Sequence, residues 1–446
     1  MEQMKAGFSR VKITPWLGAE ISGYYERRFA DAVLDELYIH GVCFEARGKK
    51  GILLVCDTCG CYSDDNATLW QKTASEELGG PEECAFICHT HTHTGPQFDS
   101  GRIKGDPKYI QFFTDCIRQA TREALADLKP VKEVRGHEDV TYGMTFVRRV
   151  KKKDGRYQTW AKNPDPDIEC MASEADQTMR LVRIIREDAP EIDLVNFQCH
   201  PDMIGGSALS SDFPGAFRRE FRKDFPENLP VFINGAEGQM TFYDYMHGTT
   251  GKTKSYARAL KFGRDIADYA KEFMKVAKPI EGPITVSFDK GIAHCATKRD
   301  ASRIPEALRL IELHEAGKDT EINPSRGIVL GLVAEAYNLR ELEQKQLDFV
   351  DLPVYVLTVG GLAFAGIPGE PFCEIGQIIR ERSPFPMTMV ACQTFRSYGY
   401  YPDAIAFDQD GYEPRNSRLS KGVGEKLEDA AISMLGTLYE AGGKDQ

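Results

Sequence analysis

Short apolar runs alternate with helical patterns along this chain, and many of the runs stop at turn residues. That alternation confines the chain to a layered α/β fold. Strand-like runs fall at Ser9 to Ile13, Tyr38 to Glu45, Gly51 to Cys56, Glu83 to His89, Asp193 to Cys199, Pro230 to Ile233, Leu352 to Val359, Leu362 to Ile367 and Met387 to Cys392. Helical patterns cover Asp64 to Leu78, Tyr109 to Leu128, Phe213 to Phe225, Lys254 to Val276, Leu330 to Leu347 and Lys421 to Glu440. Asp212 is placed to cap the third of these, with Pro214 just inside it. Several runs pair like hairpins, so the expected fold class is α/β with a mixed β-sheet core flanked by helices. No repeat, low-complexity tract or long linker divides the sequence.

The ends of the strand-like runs carry the chemistry. Cys88-His89-Thr90-His91-Thr92-His93-Thr94-Gly95-Pro96 places three of the nine histidines within five residues. Read as a strand, the run sends His89, His91 and His93 to one face at its C-terminal end, with Gly95-Pro96 turning the chain away. Protonated imidazoles so crowded would repel one another, so a bound cation or a polar substrate is the better explanation than a surface cluster. Imidazole nitrogen is a favoured zinc ligand. Three further ends share this character: Gln198-Cys199-His200-Pro201, Ile367-Pro368-Gly369-Glu370, and the glycine-rich turn Asn234-Gly235-Ala236-Glu237-Gly238. Ser397-Tyr398-Gly399-Tyr400-Tyr401 and Gly411-Tyr412-Glu413 follow the last strand-like run. In an α/β fold such ends can converge in one crevice.

Composition narrows the partners. Lys plus Arg is 56 and Asp plus Glu is 67, a net charge of -11, so nucleic acid and acidic membrane surfaces are not expected partners. Lys151-Lys152-Lys153 precedes Asp154-Gly155 and reads as a solvated hairpin inside a polar excursion, Arg148 to Ala172, that could pass over the site. No run approaches the roughly 20 apolar residues that span a bilayer. The first residues show no apolar signal region, and many of the twelve cysteines lie in apolar runs; reduced thiols and a cytoplasmic location are expected. Cys56, Cys59 and Cys61 resemble half of a zinc-ribbon knuckle, but no second CxxC completes four ligands.

The motifs, in chain order, resemble those of the neutral/alkaline (non-lysosomal) ceramidase family. His91-Thr92-His93-Thr94-Gly95-Pro96 is similar to its HTHSGP signature, Phe197-Gln198-Cys199-His200 to its second histidine strand, and Ile367-Pro368-Gly369-Glu370 to its PGE strand end. Gly399-Tyr400, with Tyr412-Glu413 twelve residues on, is similar to its paired tyrosines, and Lys5 to Pro15 to its opening strand. The likeness runs from about residue 5 to 440 and covers the catalytic domain alone. A single domain over 1–446, without the family's C-terminal immunoglobulin-like domain, is therefore expected. Gln239 stands where relatives often have Asp or Asn.

The resemblance implies a zinc-dependent hydrolase that cleaves the amide bond of a small-molecule or lipid-like N-acyl substrate with a metal-activated water. It implies Zn2+ ligands at His91, His200, Glu370 and Tyr400, with Tyr398 and Tyr401 as rivals of Tyr400. His93, Arg148 and Tyr412 would face the reacting carbonyl, His93 either holding the oxyanion or protonating the leaving nitrogen. No GxSxG motif offers a serine nucleophile. Three alternatives stay open: a zinc esterase, an amidohydrolase barrel whose first strand also ends in HxH, and a binding protein that keeps the fold without turnover.

Overall fold

The computed structural model describes residues 3–100, 103–162, 164–248 and 254–444. Two sheets lie face to face. The larger contains β1 (Lys5–Lys12), β2 (Tyr38–Ala46), β3 (Lys49–Cys56), β4 (Ala85–His89), β5 (Lys129–Val140), β6 (Thr178–Arg186), β7 (Ile192–Phe197) and β8 (Leu229–Asn234), in the order β8-β7-β6-β5-β1-β2-β3-β4. Lys278–Pro279 adds a short ninth strand against β5. The outer pairs β3/β4 and β7/β8 are parallel and the joins between them antiparallel, so the sheet is mixed as expected. The second sheet runs β9 (Val286–Ala296), β10 (Phe349–Val359), β11 (Leu362–Gly366), β12 (Met387–Ala391), with β11/β12 parallel.

Apolar residues of both sheets make one core between them: Val42, Phe44, Val55, Phe86 and Ile184 meet Leu357, Phe364 and Met389. Helices cover the outer faces. Helices α1 (Asp64–Leu78) and α2 (Pro107–Ala126) bury Trp70, Phe113 and Ile117 over β1 to β4. Helices α3 (Asp212–Asp224) and α4 (Tyr256–Val276) bury Phe217 and Ile266 over β6 to β8. The second sheet is covered by two helices, α7 (Cys373–Glu381) and α9 (Val423–Lys444). A satellite pair, α5 (Ile304–Glu315) and α6 (Arg326–Gln344), packs beside the short α8 (Tyr412–Asn416). The result is helices, sheet, sheet, helices in four layers. An eight-stranded parallel amidohydrolase barrel is not what this chain forms.

Two local expectations change. Asp212 does not cap α3 from outside: Ser211 holds the cap position without a side-chain bond, and Asp212 opens the helix at φ 55°. Its carboxylate accepts from Phe213 N at 2.6 Å and reaches back to Met203 N and Ile204 N, both at 3.0 Å. The Lys-rich hairpin is not wholly solvated either, because Lys152 is buried in an ion pair with Asp165.

All twelve cysteines are free thiols, and all but Cys170 are buried. Thiol titration of the denatured, unreduced protein should therefore recover close to twelve groups; a count lowered by two or more would contradict that reading. No described helix is long and apolar enough to cross a membrane.

Candidate metal centre

Strand ends from both sheets meet at one place, and Asn234 at the end of β8 ties them. Its Nδ2 donates to Thr90 O at 3.1 Å, beyond β4, and its Oδ1 accepts from Cys199 N at 3.3 Å, beyond β7. The backbone carbonyl of Asn234 accepts from Cys392 N at 3.0 Å, beyond β12. The two outer strands of the large sheet are thereby drawn together under the end of the second sheet.

The strand β4 stops at His89, and the next histidine breaks its alternation. His91 lies at φ 70°, in the left-handed region, with its N–H donating to Thr58 O at 3.0 Å. His89 is consequently separated from its neighbours, correcting the expectation of three convergent histidines. It is buried beside Trp70, with Nδ1 2.5 Å from Thr58 Oγ1, and burial lowers its pKa to about 3. His91 and His93 do converge, Nε2 to Nε2, at 3.2 Å.

His200 and Glu370 join them. His91 Nε2 and His200 Nε2 each lie 3.5 Å from Glu370 Oε2. The other nitrogens are fixed from behind: His91 Nδ1 donates to Cys59 O at 2.6 Å and His200 Nδ1 to Glu237 O at 3.2 Å. Those bonds set the tautomers so that both Nε2 lone pairs face Glu370. The fully buried Glu237 carboxylate also packs against His200 Nδ1. Glu370 follows the turn Pro368-Gly369, where φ is 129° and a Cβ would lie 2.6 Å from Gly399 O, so only glycine fits. Gly238 is equally constrained, because a Cβ there would lie 2.5 Å from Glu370 O.

This donor set fits a cation. His91, His200, Glu237 and Glu370 each present a ligand atom within 4.8 Å of the others, and all are buried. Neither His200 Nε2 nor Glu370 Oε2 has a hydrogen-bond partner. Acceptors buried 3.5 Å apart without a donor are costly unless a cation lies between them. Tetrahedral zinc, with bonds of about 2.0–2.1 Å, spaces its ligand atoms roughly 3.3 Å apart. The field agrees. Burial alone would lower the pKa of His91, yet Cys59, Glu237 and Glu370 outweigh it and hold the pKa well above the ordinary value.

Of the three rival tyrosines, Tyr398 directs its hydroxyl to Asp64 at 3.1 Å and Tyr401 donates to Pro368 O. The Tyr400 hydroxyl accepts from Arg148 Nη2 at 3.0 Å, and its strand pairs at Glu370. Burial and the Glu370 charge raise its pKa well above the ordinary value. Arg148 is buried at the site and is no solvated hairpin charge. Its Nε donates to Glu413 Oε1 at 2.7 Å and its Nη2 to Gly238 O at 2.9 Å. The Tyr412 hydroxyl lies 3.1 Å from that of Tyr25 and accepts from Asn416 Nδ2 at 2.9 Å. Trp160, from the polar excursion, packs on Tyr412 with ring centroids 4.5 Å apart. His93 Nδ1 faces Asp202 Oδ1 at 3.7 Å; burial, then His91 and His200, push its pKa well below the ordinary value.

All seven site residues expected from the motifs thus line one cavity of about 920 Å³, walled by aromatic residues including Tyr24, Tyr25, Phe242 and Tyr245. Sequence reasoning assigned no role to Glu237, Glu413, Cys59 or Asp202. Glu237 had a signal, a carboxylate in a glycine-rich turn after a strand.

Fold and cluster together describe a layered α/β protein with a buried His/Glu donor cluster in an aromatic cleft. Among solved structures, neutral ceramidase from Pseudomonas aeruginosa matches with a TM-score of 0.73 at 14% identity, over 99% of this chain and 75% of that one. A ceramidase complexed with C2 matches with a TM-score of 0.73 at 13% identity, over 99% and 76%. The fold of this chain is therefore the neutral ceramidase fold, as the motif resemblance implied. No family model and no curated protein matches the sequence.

Proposed function

We propose that the chain is a zinc-dependent hydrolase that cleaves the amide bond of an N-acyl substrate. The observation that carries this reading is the buried convergence of His91 Nε2, His200 Nε2 and Glu370 Oε2, two of the three without a hydrogen-bond partner. The shared fold with ceramidases, and the order of the motifs along the chain, support it. His91, His200, Glu370 and Tyr400 would hold the ion. When bound, zinc lowers the pKa of a water toward roughly 7 and polarises a carbonyl.

The protein's own groups do the rest. His93 faces the donor cluster, and burial with the neighbouring His91 and His200 holds its pKa low, so that its imidazole is available as a base. Its Nε2 accepts the proton of the attacking water and returns it to the departing nitrogen, so that amide and water become acid and amine. Tyr412 and Arg148 hold charge that develops on the carbonyl oxygen. Arg148 also orients Tyr400 through the 3.0 Å bond to its hydroxyl. The aromatic wall gives an acyl chain a surface away from water.

The test is metal analysis of untagged protein purified without added metal, followed by a screen of N-acyl amines and matching esters. About one zinc per chain and amide turnover are expected. No stoichiometric transition metal, and no gain in activity on adding zinc, would count decisively against the reading. Turnover of esters alone would move the assignment to an esterase using the same residues.

A further inference from the structure

A second cavity, of about 630 Å³, shares no lining residue with the first. It lies between β1, β2 and one face of α3. Arg10 and His40 enter it from paired positions on β1 and β2, and Arg218, Arg219 and Arg222 from α3. Four arginines around one hollow are unexpected in a chain of net charge -11.

Two carboxylates also line the hollow, Asp35 beside Arg219 and Glu36 beside Lys12. Asp35 accepts from Ser210 Oγ and Ser211 N, each at 2.7 Å, with Arg219 at 3.7 Å. Glu36 pairs with Lys12 at 2.8 Å. Arg218 spends Nη2 on Asp57 at 2.5 Å, but its Nη1 has no partner although the side chain is only 8% exposed. His40 is 2% exposed and its Nδ1 has no partner either. Arg10 lies over the Tyr38 ring at 4.9 Å, and Arg222 makes only long bonds to Pro226 O, at 3.2 and 3.3 Å. An unpartnered buried guanidinium donor costs free energy that an anion would recover. Setting the four arginines and Lys12 against Asp35, Glu36 and Asp57 leaves a surplus near two positive charges, which matches a dianion. Guanidinium forks suit phosphate oxygens in particular. Phe8 and Tyr38 line the same hollow and offer an apolar surface for a carbon body.

We propose that this cavity is a second ligand site, which takes a soluble phosphate monoester with its phosphate on Arg218 and Arg10, closed over by Arg222. Titration calorimetry of the zinc-loaded protein with phenyl phosphate and with inorganic phosphate tests it. Saturable binding at one site beyond any at the metal is expected, unchanged in His200→Ala, which separates the two cavities. Arg10→Gln/Arg222→Gln changes exposed positions only and should weaken it at least tenfold. Arg218→Gln should do the same, but could loosen the fold through Asp57, so the double variant decides. Absence of binding in His200→Ala, equal binding by the double variant, or tighter binding of succinate than of phosphate would each overturn the proposal.

Discussion

His91→Ala and His200→Ala are each expected to lose the metal and turnover in one step, whereas His93→Ala and Tyr412→Phe keep the metal and lose rate. Removing either of the first pair takes away an Nε2 that points at Glu370 from 3.5 Å. The remaining donors cannot close the set, and loss of metal-assisted chemistry should lower kcat/KM by at least about 4 kcal/mol, roughly 10³-fold. In the proposed function His93 and Tyr412 act on the substrate, so their variants should retain about one zinc and lower kcat by roughly 10²–10³. Metal analysis and steady-state kinetics on the same preparations separate the classes. His93 is the informative case, because its Nε2 is 3.2 Å from His91 Nε2 and it forms a second possible donor group with Cys59 and His91. If His93→Ala loses zinc as fully as His91→Ala, His93 is a ligand and the division of roles made here fails.

Why that division could not be read from the motif alone is a matter of one backbone angle. Alternation along a strand would have given His89, His91 and His93 the same face. The left-handed conformation at His91 removes His89 to the helix-covered side and leaves two histidines in the cleft. No residue type in the run signals that turn. The strands that carry the site, β4, β7, β8 and β11, were legible because they are almost wholly buried and mostly apolar, with Asp193, Asn196, Asn234 and His89 as the polar exceptions. Three long strands were not: β5, β6 and β9. In β5, six of twelve residues are charged, and such positions are tolerated because they meet partners across the ladder, as Glu138 meets Arg180 at 2.9 Å. Strand β9 lies at a sheet edge with alternating exposure. The two-sheet arrangement was hidden for the same reason, since β9 and the charged strands are what separate one sheet from the other. Glu413 escaped because a carboxylate that supports a site differs from a solvated one only in its surroundings, whereas the strand-end turn at Glu237 was noted without a role for its carboxylate.

Glu413 carries the second large expected effect. Arg148→Met should destabilise the fold by about 3–5 kcal/mol, the cost of leaving one partner of a buried ion pair without the other. Arg148 and Glu413 side chains are 5% and 0% exposed, and the bond between them is 2.7 Å. Thr159 Oγ1 donates to the second carboxylate oxygen at 2.6 Å, and Arg149 Nε stands off at 3.8 Å, too far to replace the lost fork. Arg148→Met/Glu413→Gln removes both charges and should recover much of the loss, so a double-mutant cycle should show a clear coupling. Urea unfolding midpoints measure this without reference to activity. The same arginine donates to the Tyr400 hydroxyl and the Gly238 carbonyl. Arg148→Lys keeps the charge but not the planar fork, and should therefore be the milder variant in stability while still lowering zinc affinity through a released Tyr400. A loss below about 1 kcal/mol in Arg148→Met, within the range of a solvent-exposed pair, would show that Glu413 is not held as a buried charge and that Arg148 does not organise this wall of the cleft.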